Sequence, residues 1–197
     1  MHTCVNIGSW KQWQGILKDG KSDPDRVNGK FDCKHEFIKS LATSPRYIEE
    51  DFACHHNLLT TLKGGPDVVG GSYRCSNNKI ETLVGGPSLV RNMFSCNNNK
   101  LTSLEGVPAA RCYGFSNNQL TNLKDIHKII LETSSLWLDK NPIKSNILGL
   151  LLIKGLNNVI ADGPAFVILN RHLKGDRDIL ECQEELIDAG FKEFARL

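Results

Sequence analysis

Apolar positions between residues 27 and 143 recur in one order: an aromatic, a skipped residue, a Cys, an Asn three on, a Leu or Ile, a Leu and a Pro. A shift of about 21 residues, a period typical of stacked-coil proteins, superposes Phe52, Tyr73 and Phe94, and likewise Cys54, Cys75 and Cys96. The same shift superposes Asn57, Asn78 and Asn99; Leu59, Ile80 and Leu101; Leu62, Leu83 and Leu104; and Pro66, Pro87 and Pro108. Aromatic-x-Cys has a period of two, so aromatic and thiol share a buried face while their neighbours point outward. So short a strand closes no core alone. Stacked in parallel on copies of itself about 4.8 Å away, it buries a continuous ladder, which predicts an α/β solenoid with a parallel β-sheet. The Asn is expected to turn the chain and satisfy backbone groups of the bend, and Gly-Gly-Pro to set an extended return without helix.

Departures from the pattern mark the ends. Phe31, Cys33, Ile38, Leu41 and Pro45 form a degenerate first coil with Glu36 in place of Asn, and Thr43–Asp51 is expected to carry a brief helical turn. Tyr113, Phe115, Asn118, Leu120 and Leu123 continue the frame with two residues lost, and Leu136, Leu138, Asn141 and Ile143 resume it, for six coils. Residues 125–130 replace the Gly-Gly-Pro return with a helical turn. Upstream, Ser9 is placed to cap a helix with Trp10, Trp13 and Leu17 on one face, covering the first layer or anchoring a partner. Downstream, the apolar run Ser145–Ile153 closes the far end, residues 156–163 form a strand and turn, and Pro164–Leu173 form a helix stopped at Gly175. Asp178 and Glu181 frame a capping box for a last helix with Ile179, Leu186, Ile187, Phe191 and Phe194 on one side and a kink at Gly190.

Composition narrows the function classes. A net charge of +2 with no polybasic run argues against nucleic acid or an anionic membrane as target. No apolar run reaches transmembrane length and the start lacks a signal-peptide pattern, so a cytoplasmic protein is expected. The seven cysteines sit mostly at one repeat position and are expected as buried apolar side chains. A metal site would draw on Cys33, His35, Cys54, His55 and His56. The thiols face the core while His55 faces out, and the tight Cys-x-x-Cys spacing of zinc sites is absent, so no metal and no cofactor is expected. Cys112 near His55 or His127 lacks an orienting group or oxyanion donor, which argues against a thiol enzyme.

The motif Phe-x-Cys-x-x-Asn-x-Leu-x-x-Leu-x-Gly-x-Pro resembles the leucine-rich repeat in the short form common in bacteriophage-encoded proteins, with Cys replacing the usual central Leu. The resemblance spans residues 27–143 and implies a right-handed superhelix between an N-terminal helical cap, 1–26, and a C-terminal helical cap, 144–197. The tail Cys182–Phe191 resembles the segment that follows such repeats in phage proteins. What the resemblance implies is a non-enzymatic module that binds a host protein in the bacterial cytoplasm, a defence component included, and modulates or inhibits it. The alternative is a structural or assembly accessory that self-associates or joins a virion.

Outward strand positions form the candidate site on the concave face expected of such an array. They are Lys30, Asp32, Lys34, Asp51, His55, Arg74, Met93, Trp137 and Asp139. Trp137, Arg74 and Met93 are types enriched at interfaces. Trp137 either anchors a partner or tucks under the C-terminal cap. Small residues, Ser95, Gly114 and Ser116, occupy the middle.

Overall fold

The computed structural model describes residues 4–5, 9–19 and 25–197. Each regular coil makes two short strands separated by a bend, and successive coils stack with every pairing parallel. The strands are β1 (Cys4–Val5), β2 (Arg26–Val27), β3 (Phe31–Asp32), β4 (Tyr47–Ile48), β5 (Phe52–Ala53) and β6 (Val68–Val69). They continue with β7 (Tyr73–Arg74), β8 (Leu89–Val90), β9 (Met93–Ser95), β10 (Cys112–Gly114), β11 (Ser135–Trp137) and β12 (Asn158–Ile160). One sheet has seven strands, β3-β5-β7-β9-β10-β11-β12; the other has five, β1-β2-β4-β6-β8. The result is a β-solenoid of about six turns.

The seven-stranded sheet follows the expected register. Phe31, Phe52, Tyr73, Phe94, Tyr113, Leu136 and Val159 are successive partners. Their side chains are buried, as are Cys33, Cys54, Cys75 and Cys96 at the next inward position. Neighbouring rings lie 5.9 Å (Phe31–Phe52), 4.8 Å (Phe52–Tyr73) and 5.6 Å (Tyr73–Phe94) apart, within the range of favourable aromatic pairs. Where two residues are lost, the ladder crosses over: Phe115, at the Cys position, lies 6.0 Å from Phe94 and stacks on Tyr113 at 5.7 Å.

Three residues after each of β3, β5, β7, β9, β10 and β11 stands a residue with φ between 55° and 58°: His35, His56, Asn77, Asn98, Asn117 and Lys140. Asn tolerates this left-handed conformation better than most residues. Except after His35, where Glu36 stands, the next residue is the repeat Asn, whose amide ties two coils together. Asn99 Nδ2 donates to Cys75 O and Cys96 O, both at 3.2 Å, and Asn99 Oδ1 accepts from Ile80 N at 3.0 Å. Asn57, Asn78, Asn118 and Asn141 make the same bridge.

The return after Gly-Gly-Pro is extended and without helix, as expected, and successive returns pair into the five-stranded sheet. Val27, Ile48, Val69 and Val90 are register partners with fully buried side chains. Tyr47–Ile48 is one of its strands, so the helical turn expected over Thr43–Asp51 is not formed; its two β-branched and aromatic residues pair with neighbouring coils instead. The sheet also reaches upstream of residue 27 through β1.

Both ends carry helix. Ser9 Oγ accepts from Gln12 N at 3.4 Å at the start of α1 (Trp10–Asp19). Trp13 is buried with its ring edge-on to Phe31 at 5.9 Å, and its Nε1 donates to Thr43 O. The helical turn expected near 125–130 is α2 (Ile126–Ile129). A 3-10 turn, Leu148–Leu152, buries Leu148, Leu150 and Leu151, and α3 (Pro164–Lys174) packs on it and on β12. The guanidinium of Arg177 donates to Ile153 O at 3.0 Å and to Leu156 O, satisfying carbonyls that follow the turn. Asp178 Oδ1 caps α4 (Ile179–Asp188) by accepting from Leu180 N and Glu181 N. Gly190, with φ +86°, ends α4 rather than kinking it: Phe191 N bonds back to Leu186 O at 2.7 Å, a C-terminal capping pattern. Ile187 consequently faces solvent while Leu186 and Cys182 are buried. Among the described residues no helix is long and apolar enough to cross a membrane.

Candidate functional site

The outward side of the seven-stranded sheet is one continuous wall because the register never slips. Its central column runs Asp32, Ala53, Arg74, Ser95, Gly114, Trp137, Ile160. Six strand steps of about 4.8 Å separate its ends, so the nine candidate residues do not converge on one small site.

Most of them gather at the N-terminal end. Lys30 is exposed, and Lys34 Nζ pairs with Asp32 at 2.9 Å. Asp51 accepts from Ser72 N and from Arg74 Nη1, both at 2.8 Å. Burial alone raises the Asp51 pKa, but these two hydrogen bonds hold it below the usual carboxylate value. His55 sits beside them, half-buried, with Nδ1 enclosed and without a partner. Burial, then the neighbouring His56, lowers its pKa below the ordinary imidazole value. Met93 is half-buried further along, and Trp137 and Asp139 lie at the opposite end.

Hydrogen bonds among side chains tile the middle of the wall. Ser76 Oγ and Ser95 Oγ lie 2.9 Å apart, Asn97 Oδ1 accepts from Ser116 N at 2.9 Å, and Ser116 Oγ donates to Asp139. At Gly114 a Cβ would stand 2.8 Å from Asn97 Oδ1, so the missing side chain leaves room for the Asn97 amide. A tiled surface has lost much of its side-chain freedom before any partner arrives, which lowers the entropy cost of docking.

The C-terminal end differs. Trp137 is half-buried, flanked in register by Gly114 on one side and by Ile160, 41% exposed, on the other. A flat aromatic beside an exposed aliphatic, bordered by polar groups, is an anchor-and-rim arrangement. Ile160 was missed in the sequence because residues 156–163 depart from the repeat residues, and only the Trp137↔Ile160 pairing places it on the wall.

Groups with metal-ligand chemistry occur in two places. The rings of His35, His55 and His56 have centroids 4.5–6.1 Å apart, but His35 and His56 stack at 9°, which sets their nitrogens side by side rather than toward one point. His172, Asp176 and Glu181, at the junction of α3 and α4, offer ligand atoms within 4.8 Å of one another. His172 Nε2 meets Glu185 Oε2 at 2.9 Å and thereby joins the two helices. The thiols offer little nucleophilic chemistry: burial raises Cys33, Cys54 and Cys75 well above the ordinary value and Cys182 to about 11, and it raises Cys112 as well. Among the described residues no hydrogen bond joins Cys112 to His55 or His127.

Comparison of the chain with protein-family models, with curated proteins and with solved structures finds no match in any of the three.

Proposed function

We propose that the chain is a non-enzymatic protein-binding module whose partner docks on the wall of the seven-stranded sheet, with Trp137 and Ile160 as anchors and the polar tiles toward Arg74 as rim. The observation that carries this reading is the Trp137–Ile160 pair, apolar and accessible beside the hydrogen-bonded tiles of the wall's middle. The leucine-rich-repeat resemblance of the coils, with α1 sealing one end and α3–α4 the other, supports a bacteriophage-type repeat protein. Its partner is then a host protein in the bacterial cytoplasm, a defence component included, which it occludes or redirects. The test is affinity capture from bacterial lysate by the full chain and by Trp137→Ala with Ile160→Asp. A stoichiometric partner that weakens about thirtyfold or more on losing a hot-spot Trp, with the circular dichroism spectrum unchanged, supports the reading. A captured partner indifferent to both substitutions, or no stoichiometric partner, overturns it.

A further inference from the structure

The five-stranded sheet stops at β8 for a reason visible in the chain. The coil after it is two residues shorter: Phe94 pairs with Tyr113, whereas Tyr73 pairs with Phe94 and Phe52 with Tyr73. Residues 109–111 therefore add one isolated bridge, Leu89↔Ala109, instead of a strand. The Tyr113 hydroxyl ties the shortened bend to the core, donating to Pro108 O and accepting from Ala110 N, both at 2.9 Å. Above this bend lies an open groove of about 800 Å³, floored by Ala109, Ala110 and Tyr113. Its size falls within the range of ligand-holding clefts.

Three independent features of the lining describe its occupant. Thr133 N donates to Lys154 O and Lys154 N donates to Leu131 O, so the N–H and C=O of Glu132, between them, face the other way, toward the groove. Among the described residues neither of those groups, nor the C=O of Ala110, has a backbone partner. Unpaired main-chain groups at a sheet edge are a template for an added strand. Second, Arg91 and Arg111 are exposed on the lining, and no carboxylate among the described residues pairs with either. Glu132, the one acidic residue of the lining, is paired with Lys154 at 3.3 Å. Third, Leu131 is 71% exposed and Ile129 39% exposed, and the alanine floor leaves room for branched side chains.

We propose that this notch is a strand-addition site for an extended peptide segment of a partner protein in which acidic and aliphatic residues alternate. Alternate side chains of an added strand point to opposite faces. The aliphatic ones then descend onto Ala109 and Ala110 beside Leu131, and the carboxylates rise toward Arg91 and Arg111. The site stands on the other sheet from Trp137, so either proposal can fail without the other.

The test uses the full chain and fluorescein-labelled acetyl-(Asp-Val)3-amide, its Lys-Val counterpart, and an Asp-Val peptide N-methylated at alternate residues, with binding read by fluorescence anisotropy. Saturable binding of the Asp-Val peptide is expected, at least tenfold weaker for the other two. Arg91→Glu with Arg111→Glu should cost at least tenfold for Asp-Val and favour Lys-Val, while Trp137→Ala changes neither. Equal binding of all three peptides overturns the proposal, as does no saturable binding or indifference to the double substitution. Self-association in sedimentation that the double substitution abolishes makes a second copy the occupant and also overturns it.

Discussion

Replacing Asn99 by Ala removes the clamp between two coils. The side chain is buried and makes four hydrogen bonds to main-chain groups: it donates to Cys75 O, Cys96 O and Asn97 O and accepts from Ile80 N. A truncated methyl replaces none of them, and the Cys75 and Cys96 side chains beside it are fully buried. Leaving a buried group unmade costs about 1–3 kcal/mol, and a carbonyl with a second lone pair less, so a loss of about 2–5 kcal/mol is expected. That is a large share of the roughly 5–15 kcal/mol that separates folded from unfolded chains. At about 2–4 °C per kcal/mol for a chain of this size, Tm falls by about 4–20 °C. Urea and thermal unfolding followed by circular dichroism measure it, with exposed Lys100→Ala as the control. A loss below about 1 kcal/mol, on the scale of one ordinary exposed contact, refutes the idea that the asparagine column holds the coils together.

Other outcomes follow from the same coordinates. Gly106→Ala sets a Cβ 2.7 Å from Val84 N at φ +82°, whereas Gly29→Ala at φ +87° meets nothing within 4 Å. Gly106→Ala should therefore cost several kcal/mol and Gly29→Ala only the roughly 1 kcal/mol of left-handed backbone, compared by thermal unfolding. The His55 pKa is lowered in the folded chain, so its neutral form is the one folding favours. Its contribution is complete above the unfolded value near 6.5 and is lost as pH falls through that region. His55→Gln should flatten the drop in urea midpoint between about pH 7.5 and 5.5, and an unchanged slope contradicts the assignment. In a Cys4→Ser background, a thiol reagent at pH 8 should label Cys112 in the native chain and the other five only after denaturation. Rapid native labelling of Cys54 or Cys75 runs against their burial.

Much of this architecture is written in residue spacing. The aromatic, Cys and Asn columns each perform one task in every coil, so their recurrence specifies register, inward face and bend together. The five-stranded sheet was as legible in principle, since Val27, Ile48, Val69 and Val90 recur at the same interval. It was overlooked because each strand is two residues long and follows Gly and Pro, which signal a turn when taken locally. The notch escaped for a different reason. Losing two residues between Pro108 and Tyr113 leaves the buried columns intact, and only the stacking of Ala109 under Leu89 shows which wall recedes. Trp137 was visible as an outward residue, but Ile160 acquires its place solely through pairing across coils.

Parallel, in-register stacking is the claim on which the wall, the notch and the asparagine clamps all depend. Scalar couplings across hydrogen bonds in the deuterated protein test it most directly, because each reports one donor and one acceptor. Couplings from Phe52 N to the Ser72 carbonyl, Cys75 N to Ser95 and Phe115 N to Trp137 are expected, from bonds of 2.9, 2.8 and 2.8 Å. Couplings that instead join these amides to carbonyls one residue out of step, or in antiparallel order, contradict the stacked register.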